Sequence, residues 1–209
     1  MITIEFSEVS QSFHGRQIFG SLSAKLHSGR ITAVTGCNGS GKSTFLKLAG
    51  HLLLPTKGKV TVSVDDGVLK QAELREHLAM VTPELRFYDR LTARENMDFF
   101  LGLRGISLTD AAYRQLLERV ELSAKAVTAA YTGEFSTGMR QRLKMAVLLA
   151  AQADIWLLDE PGANLDEAGR AMVAREVRAA AQQNILVALA TNDPGEEALA
   201  DEIIALAGD

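Results

Sequence analysis

The stretch Ile31-Thr32-Ala33-Val34-Thr35-Gly36-Cys37-Asn38-Gly39-Ser40-Gly41-Lys42-Ser43-Thr44 decides the fold. Its first five residues form a short apolar run that reads as a buried strand, and Gly36 to Ser43 follow the spacing G-x-x-x-x-G-K-[ST]. Glycines at 36, 39 and 41 permit positive φ and close approach of the backbone, so successive N–H groups can converge on phosphate oxygens where a helix begins near Lys42. Lys42 is placed to reach β- and γ-phosphates and Ser43 to offer its hydroxyl to Mg²⁺, while Cys37, Asn38, Ser40 and Thr44 complete the loop. The competing reading is a glycine-rich turn that binds nothing; the order strand, loop, helix speaks for the phosphate site.

Upstream and just downstream, the period is that of strands. Ile2, Ile4 and Phe6 alternate, as do Leu22, Ala24 and Leu26, and Val60, Val62 and Val64 after an expected turn at Lys57-Gly58. Helix signals then take over. Thr92-Ala93-Arg94-Glu95 is a capping box opening a segment with Met97, Phe99, Phe100, Leu101 and Leu103, closed by Gly102 or Gly105. A second helix starts at Thr109, with Ala112, Leu116, Leu117 and Val120 on one face, and a third follows Ser136, where Leu143, Ala146, Val147, Ala150 and Ala151 recur at helical spacing. Strand and helix alternate again in Ile155 to Leu158, in an alanine-rich helix from about Glu167 to Ala181, in Ile185 to Ala190 and in Ile203 to Leu206. The pattern predicts an α/β fold with a mainly parallel sheet, an N-terminal β region and a helical insertion over 91–151, inside a nucleotide-binding core of 1–90 and 152–209.

Composition narrows the function. The 209 residues, 47% hydrophobic, suit one packed domain, and the formal charge of −4 argues against a general nucleic-acid surface. The longest apolar runs are too short to cross a bilayer, and the N-terminus lacks the basic and apolar regions of a signal peptide. Cys37 is the single cysteine, so no intramolecular disulfide forms and a reducing cytoplasm is expected.

Asp159 and Glu160 end the apolar run Ile155 to Leu158, and the carboxyl ends of strands are where open α/β sheets bind ligands. Two carboxylates there can divide the work, Asp159 holding Mg²⁺ and Glu160 activating a water. Ser136-Thr137-Gly138 at a helix start makes a further anion site through free N–H groups and the positive helix end.

Taken together, the phosphate loop, the Ile155 to Glu160 run and Phe135-Ser136-Thr137-Gly138-Met139, which matches a signature of the LSGGQ kind, resemble the ATP-binding cassette (ABC) ATPases, the motor subunits of ABC transporters. The motifs stand in the family's order and cover nearly the whole chain. The resemblance implies a P-loop NTPase core with an N-terminal antiparallel β region and an inserted α-helical subdomain. It also implies ATP and Mg²⁺ as ligands, and an ATP-dependent dimer with an identical or similar subunit in which Ser136, Thr137 and Gly138 serve the γ-phosphate held by the other copy. Partners in membrane-spanning subunits and a place on the inner face of the cell membrane follow from the same resemblance. Ala163-Asn164-Leu165-Asp166 looks like the family's D-loop, with Asp166 also a cap for the next helix, and Phe13 stands where the family places a ring against adenine. Two positions depart from the family: Glu84 replaces the Q-loop glutamine and Asn192 the switch histidine. Glu84 still offers an oxygen to Mg²⁺, and Asn192 an amide to the γ-phosphate, but neither repeats the chemistry of the residue it replaces. A soluble cassette in iron–sulfur assembly or another non-transport role, and a regulatory nucleotide-binding module of low turnover, are the alternative functions.

Overall fold

Burial of alternate residues shapes the first strand, and burial of every residue shapes the strands at 155–159 and 186–190. The structure, a computed structural model, describes residues 1–65, 67–127 and 130–206. In chain order it begins with β1 (Ile2–Phe13), β2 (Arg16–His27), β3 (Ile31–Thr35), α1 (Lys42–Ala49), β4 (Lys57–Val64), β5 (Gly67–Val68), α2 (Gln71–His77) and β6 (Leu78–Val81). Helices α3 (Ala93–Gly102), α4 (Asp110–Arg119), α5 (Ala124–Val127) and α6 (Thr137–Ala150) follow. The chain then runs through β7 (Ile155–Asp159), α7 (Glu167–Gln182), β8 (Leu186–Ala190), α8 (Pro194–Glu197) and β9 (Glu202–Ala205). It divides into two compact units: Met1–Met80, Ala153–Glu160 and Val177–Asp209 in the first, Val81–Gln152 and Pro161–Glu176 in the second.

In the first unit an antiparallel sheet of order β2-β1-β4-β5 and a sheet of order β6-β7-β8-β3-β9 share one core. The pairs β3–β8, β3–β9 and β7–β8 are parallel, and all five residues of both β7 and β8 are buried, as a sheet covered on both faces requires. Helix α1 is held between the two sheets. Its Phe45, Leu46 and Leu48 are fully buried in one cluster with Ile4, Phe6 and Val62 of the antiparallel sheet and Leu157, Leu186 and Ala188 of the parallel one. The Phe6 and Phe45 rings stack at 4.2 Å between centroids. At about 1.5–3 kcal/mol for each buried large side chain, this packing fixes the helix and so the loop that leads into it.

The Lys57-Gly58 pair is not a turn. It opens β4, and Gly58 takes φ 79 where the β1–β4 register slips between Ser7 and Ser10. A Cβ at 58 would stand 2.4 Å from the Glu8 carbonyl oxygen, so the glycine answers a bulge inside the sheet.

In the second unit the helices begin where the capping residues predict. Thr92, Thr109 and Ser136 accept from the backbone N–H of Glu95, Ala112 and Met139, and Glu95 returns a carboxylate to the N–H of Thr92. This unit also takes in residues 81–90 and 161–176, outside the insertion expected over 91–151. The cause is polar. Asn96 is fully buried; its Nδ2, with two hydrogens, stands 3.0–3.2 Å from the carbonyls of Tyr88, Leu91 and Thr92 and from Thr132 Oγ1, and its Oδ1 accepts from Tyr88 N at 2.8 Å, so the 88–92 loop is bound to α3. Asn96→Ala leaves Tyr88 N without its acceptor, while the Tyr88, Leu91 and Thr92 carbonyls keep other donors, and we expect it to cost about 2 kcal/mol in urea-induced unfolding. A loss under about 1 kcal/mol would mean that the loop is held by its apolar neighbours instead.

Candidate functional site

Strand order gathers the chemistry of the first unit at one sheet edge. Because β8 lies between β7 and β3, Ala190 pairs with both Asp159 and Val34, and the residues after these three strands leave the sheet side by side. Glu160 N donates to Ala190 O at 2.8 Å and Thr191 N to Val34 O at 3.1 Å. Asn192, next in the chain, donates through Nδ2 to Asn38 Oδ1 in the glycine-rich loop at 2.7 Å.

The loop itself is shaped by backbone demands. Gly36 takes φ 144, and a Cβ there would stand 2.6 Å from both Leu206 O and Ser40 Oγ. Gly41, at φ 100, precedes α1, whose first turn has neither a capping side chain nor an acidic residue, so its positive end is left for an anion. Lys42, buried, donates through Nζ to Gly36 O at 2.8 Å and Cys37 O at 3.2 Å, which holds its ammonium across the loop. Cys37 is exposed.

A hollow of about 270 Å³ opens over this loop, lined by Phe13 and Ile18, by Asn38, Gly39 and Gly41 to Thr44, and by Glu160. Phe13 is 40% exposed and so is no core residue. Glu160 has φ 49, a left-handed backbone that costs a non-glycine residue about 1–3 kcal/mol and that persists where the surroundings impose it. Beside it Asp159 ends β7 with only 3% exposure, a carboxylate buried at the edge where ligands of such sheets sit. A hydroxyl at Ser43 and a carboxylate at Asp159 are hard oxygen donors suited to Mg²⁺, which needs few protein ligands when phosphates and waters supply the rest. Among the described residues there is no group of three His, Cys, Asp or Glu that could hold a metal ion.

Glu84, Ser136, Thr137, Gly138 and Asp166 lie in the second unit. Ser136 caps α6 through Met139 N at 3.1 Å, Thr137 and Gly138 form its first turn, and no acidic side chain occupies that turn. Asp166 accepts from Gly169 N at 2.9 Å and from Arg142 Nη2 at 2.7 Å. The Gly169 N–H first, and then Arg142, hold its carboxyl below the usual carboxylate range. Glu84 is exposed and stands in the field of Lys144, a buried lysine of α6. Burial pushes the Lys144 ammonium down from the ordinary lysine range, and Glu84 draws it back up.

Reading the sequence misses three of these contacts: Asn38 as the acceptor for Asn192, Arg142 as the clamp on Asp166, and Lys144. Only the last leaves a local signal. A lysine between Leu143 and Met145 falls among the inward residues of a helix, where charge is costly.

The model of the ABC transporter family matches residues 19–163. The glutamine transport ATP-binding protein GlnQ of Escherichia coli is 31% identical over 198 residues, which cover 92% of this chain and 82% of that protein. The sulfoquinovosyl glycerol transport ATP-binding protein SmoE of Agrobacterium fabrum is 30% identical over 211 residues, covering 100% of this chain and 58% of its own length. The chain thus spans less than two thirds of several of the curated relatives it matches. Among solved structures, the dimeric bacterial ABC transporter cassette MJ0796 superposes with a TM-score of 0.84 at 23% identity, over 97% of this chain and 94% of that one. With the family model matching well over half of its residues, the chain belongs to the ABC transporter family and has the fold of its ATP-binding cassettes.

Proposed function

We propose that this chain, as one ABC ATPase domain over residues 1–209, binds ATP and hydrolyses it to drive transport as the ATP-binding subunit of an ABC transporter. The observation that carries the reading is the shared hollow, in which the phosphate loop and Glu160 face one space. The loop N–H groups and Lys42 hold the phosphates, Phe13 offers a ring for the base, and Glu160 takes the proton of the attacking water. Ser43 and Asp159 would hold Mg²⁺, which when bound neutralises phosphate charge. On the resemblance alone, Glu84 is a further candidate ligand.

The α6 start at Ser136, Thr137 and Gly138 serves a γ-phosphate presented by a second cassette, with Asp166 at that interface. A nucleotide that binds the closed pair better than the single chain draws the equilibrium toward dimer. The Glu160→Gln protein with Mg-ATP is therefore expected to sediment as a dimer and to be monomeric without nucleotide. A monomer with ATP demonstrably bound would remove the shared site. Among the described residues no helix is long and apolar enough to cross a membrane. The transport role assigns the crossing to membrane-spanning subunits and places this chain at the inner face of the cell membrane. Purification in mild detergent should bring a multi-span membrane protein with the chain. Phosphate release from ATP by the purified chain tests the activity itself, and its absence with and without that partner would overturn the reading.

Asn192 has two amide hydrogens, of which one goes to Asn38. The second is the donor we assign to the γ-phosphate. Asn192→Ala is expected to lower kcat about tenfold, the worth of one hydrogen bond to a charged group, and Asn192→His to raise it, both at unchanged ATP affinity. Steady-state hydrolysis decides this, and equal kcat in all three proteins would place Asn192 outside the reaction.

A further inference from the structure

Four polar residues of α6 each hold a separate piece of backbone. Arg140 donates to the carbonyls of Thr132 and Gly133, Gln141 to Pro161 O at 2.8 Å, Arg142 to Val120 O and Asp166, and Lys144 to Thr82 O at 2.8 Å and Pro83 O at 3.4 Å. The first three are partly solvated or neutral. Lys144 is a charge at 8% exposure, and a buried charge is stable only where its donors and its field are both answered. The two carbonyls take two of its three N–H groups, and Glu84 supplies the opposing charge.

The recipient segment needs such a donor. Pro83 has no N–H, Pro83 and Glu84 are exposed, and the local turn is closed by Leu85 N, which donates to Thr82 O and Thr82 Oγ1 at 3.2 Å each.

We propose that Lys144 is a positioning residue for Glu84: through the Thr82 and Pro83 carbonyls it ties the 81–85 segment to α6, so that the two shift as one piece. The consequence is a mechanical one. The helix that offers its first turn to an anion at Ser136 carries, about two turns further on, the grip on Glu84. An anion that moves or steadies α6 thereby moves or steadies Glu84. The catalytic part of this inference rests on the ATPase reading; the tether does not.

The test is amide hydrogen exchange of the full chain without nucleotide, read at Leu85. In Lys144→Met, which keeps the volume and removes the charge, we expect Leu85 to exchange about tenfold faster or more, while Lys144→Arg stays near wild type. Glu84→Gln, a change at an exposed position, should also speed Leu85, so the tether is testable even if Lys144→Met does not fold. In steady-state hydrolysis Lys144→Met should lower kcat with KM for ATP unchanged, and the loss should be smaller when introduced into Glu84→Gln than into wild type. Wild-type exchange at Leu85 in both Lys144→Met and Glu84→Gln would overturn the tether. Equal losses of kcat in the two backgrounds would overturn the coupling to Glu84. If the wild-type chain released no phosphate, the ATPase reading would fall and the exchange result would still decide the tether.

Discussion

Glu160→Gln is expected to lower ATP turnover by about a hundred- to ten-thousand-fold, the usual worth of a general base, while leaving ATP affinity within a few-fold of wild type. The amide keeps the size and one acceptor oxygen of the carboxylate but cannot take a proton at neutral pH. Affinity is preserved because the hollow is lined mainly by the loop, and the fold is preserved because the Glu160 contact with β8 is made by its backbone N–H to Ala190 O. The measurement is single-turnover hydrolysis beside equilibrium binding of a fluorescent ATP analogue. Turnover at the wild-type rate would take the general base away from Glu160 and leave its left-handed backbone without a catalytic reason.

Lys42→Ala is expected to weaken ATP binding roughly ten- to a hundredfold, since Gly36 O and Cys37 O take two of the three ammonium N–H groups, the third gives phosphate a charged hydrogen bond worth about 1.5–3 kcal/mol, and the loop N–H groups carry no net charge. The side chain crosses the loop to Gly36 O and Cys37 O, and both of those residues reach solvent, so water can replace the ammonium at these carbonyls. Thermal unfolding should therefore shift little. Binding within a few-fold of wild type would mean that the N–H groups at the start of α1 hold the phosphates by themselves. Because Glu160→Gln changes rate without affinity and Lys42→Ala affinity before rate, the pair separates chemistry from binding in one hollow.

What was legible in the sequence was whatever depends on neighbours along the chain. The strand Ile31–Thr35, the positive-φ glycines after it and the helix at Lys42 follow from local sterics, and Thr92, Thr109 and Ser136 announce their helices because a cap bonds three residues ahead. The same locality misled at Lys57-Gly58, where a glycine with positive φ reads as a turn and is a bulge, since only the slipped register with β1 distinguishes the two.

Tertiary structure decided what depends on who stands beside whom. The sequence holds the runs before Gly36, Glu160 and Asn192 as three separate strands; the order β7-β8-β3 makes their ends adjacent and brings Asn192 to Asn38, 154 positions away. It also decided that residues 81–90 and 161–176 pack with the helices, through Asn96, Gln141, Arg142 and Lys144, whose partners lie up to 62 residues distant. Caps and glycines are legible because their energies are set within a turn of the chain, whereas strand order and buried polar contacts are settled by burial shared among distant segments, for which no single stretch carries the signal.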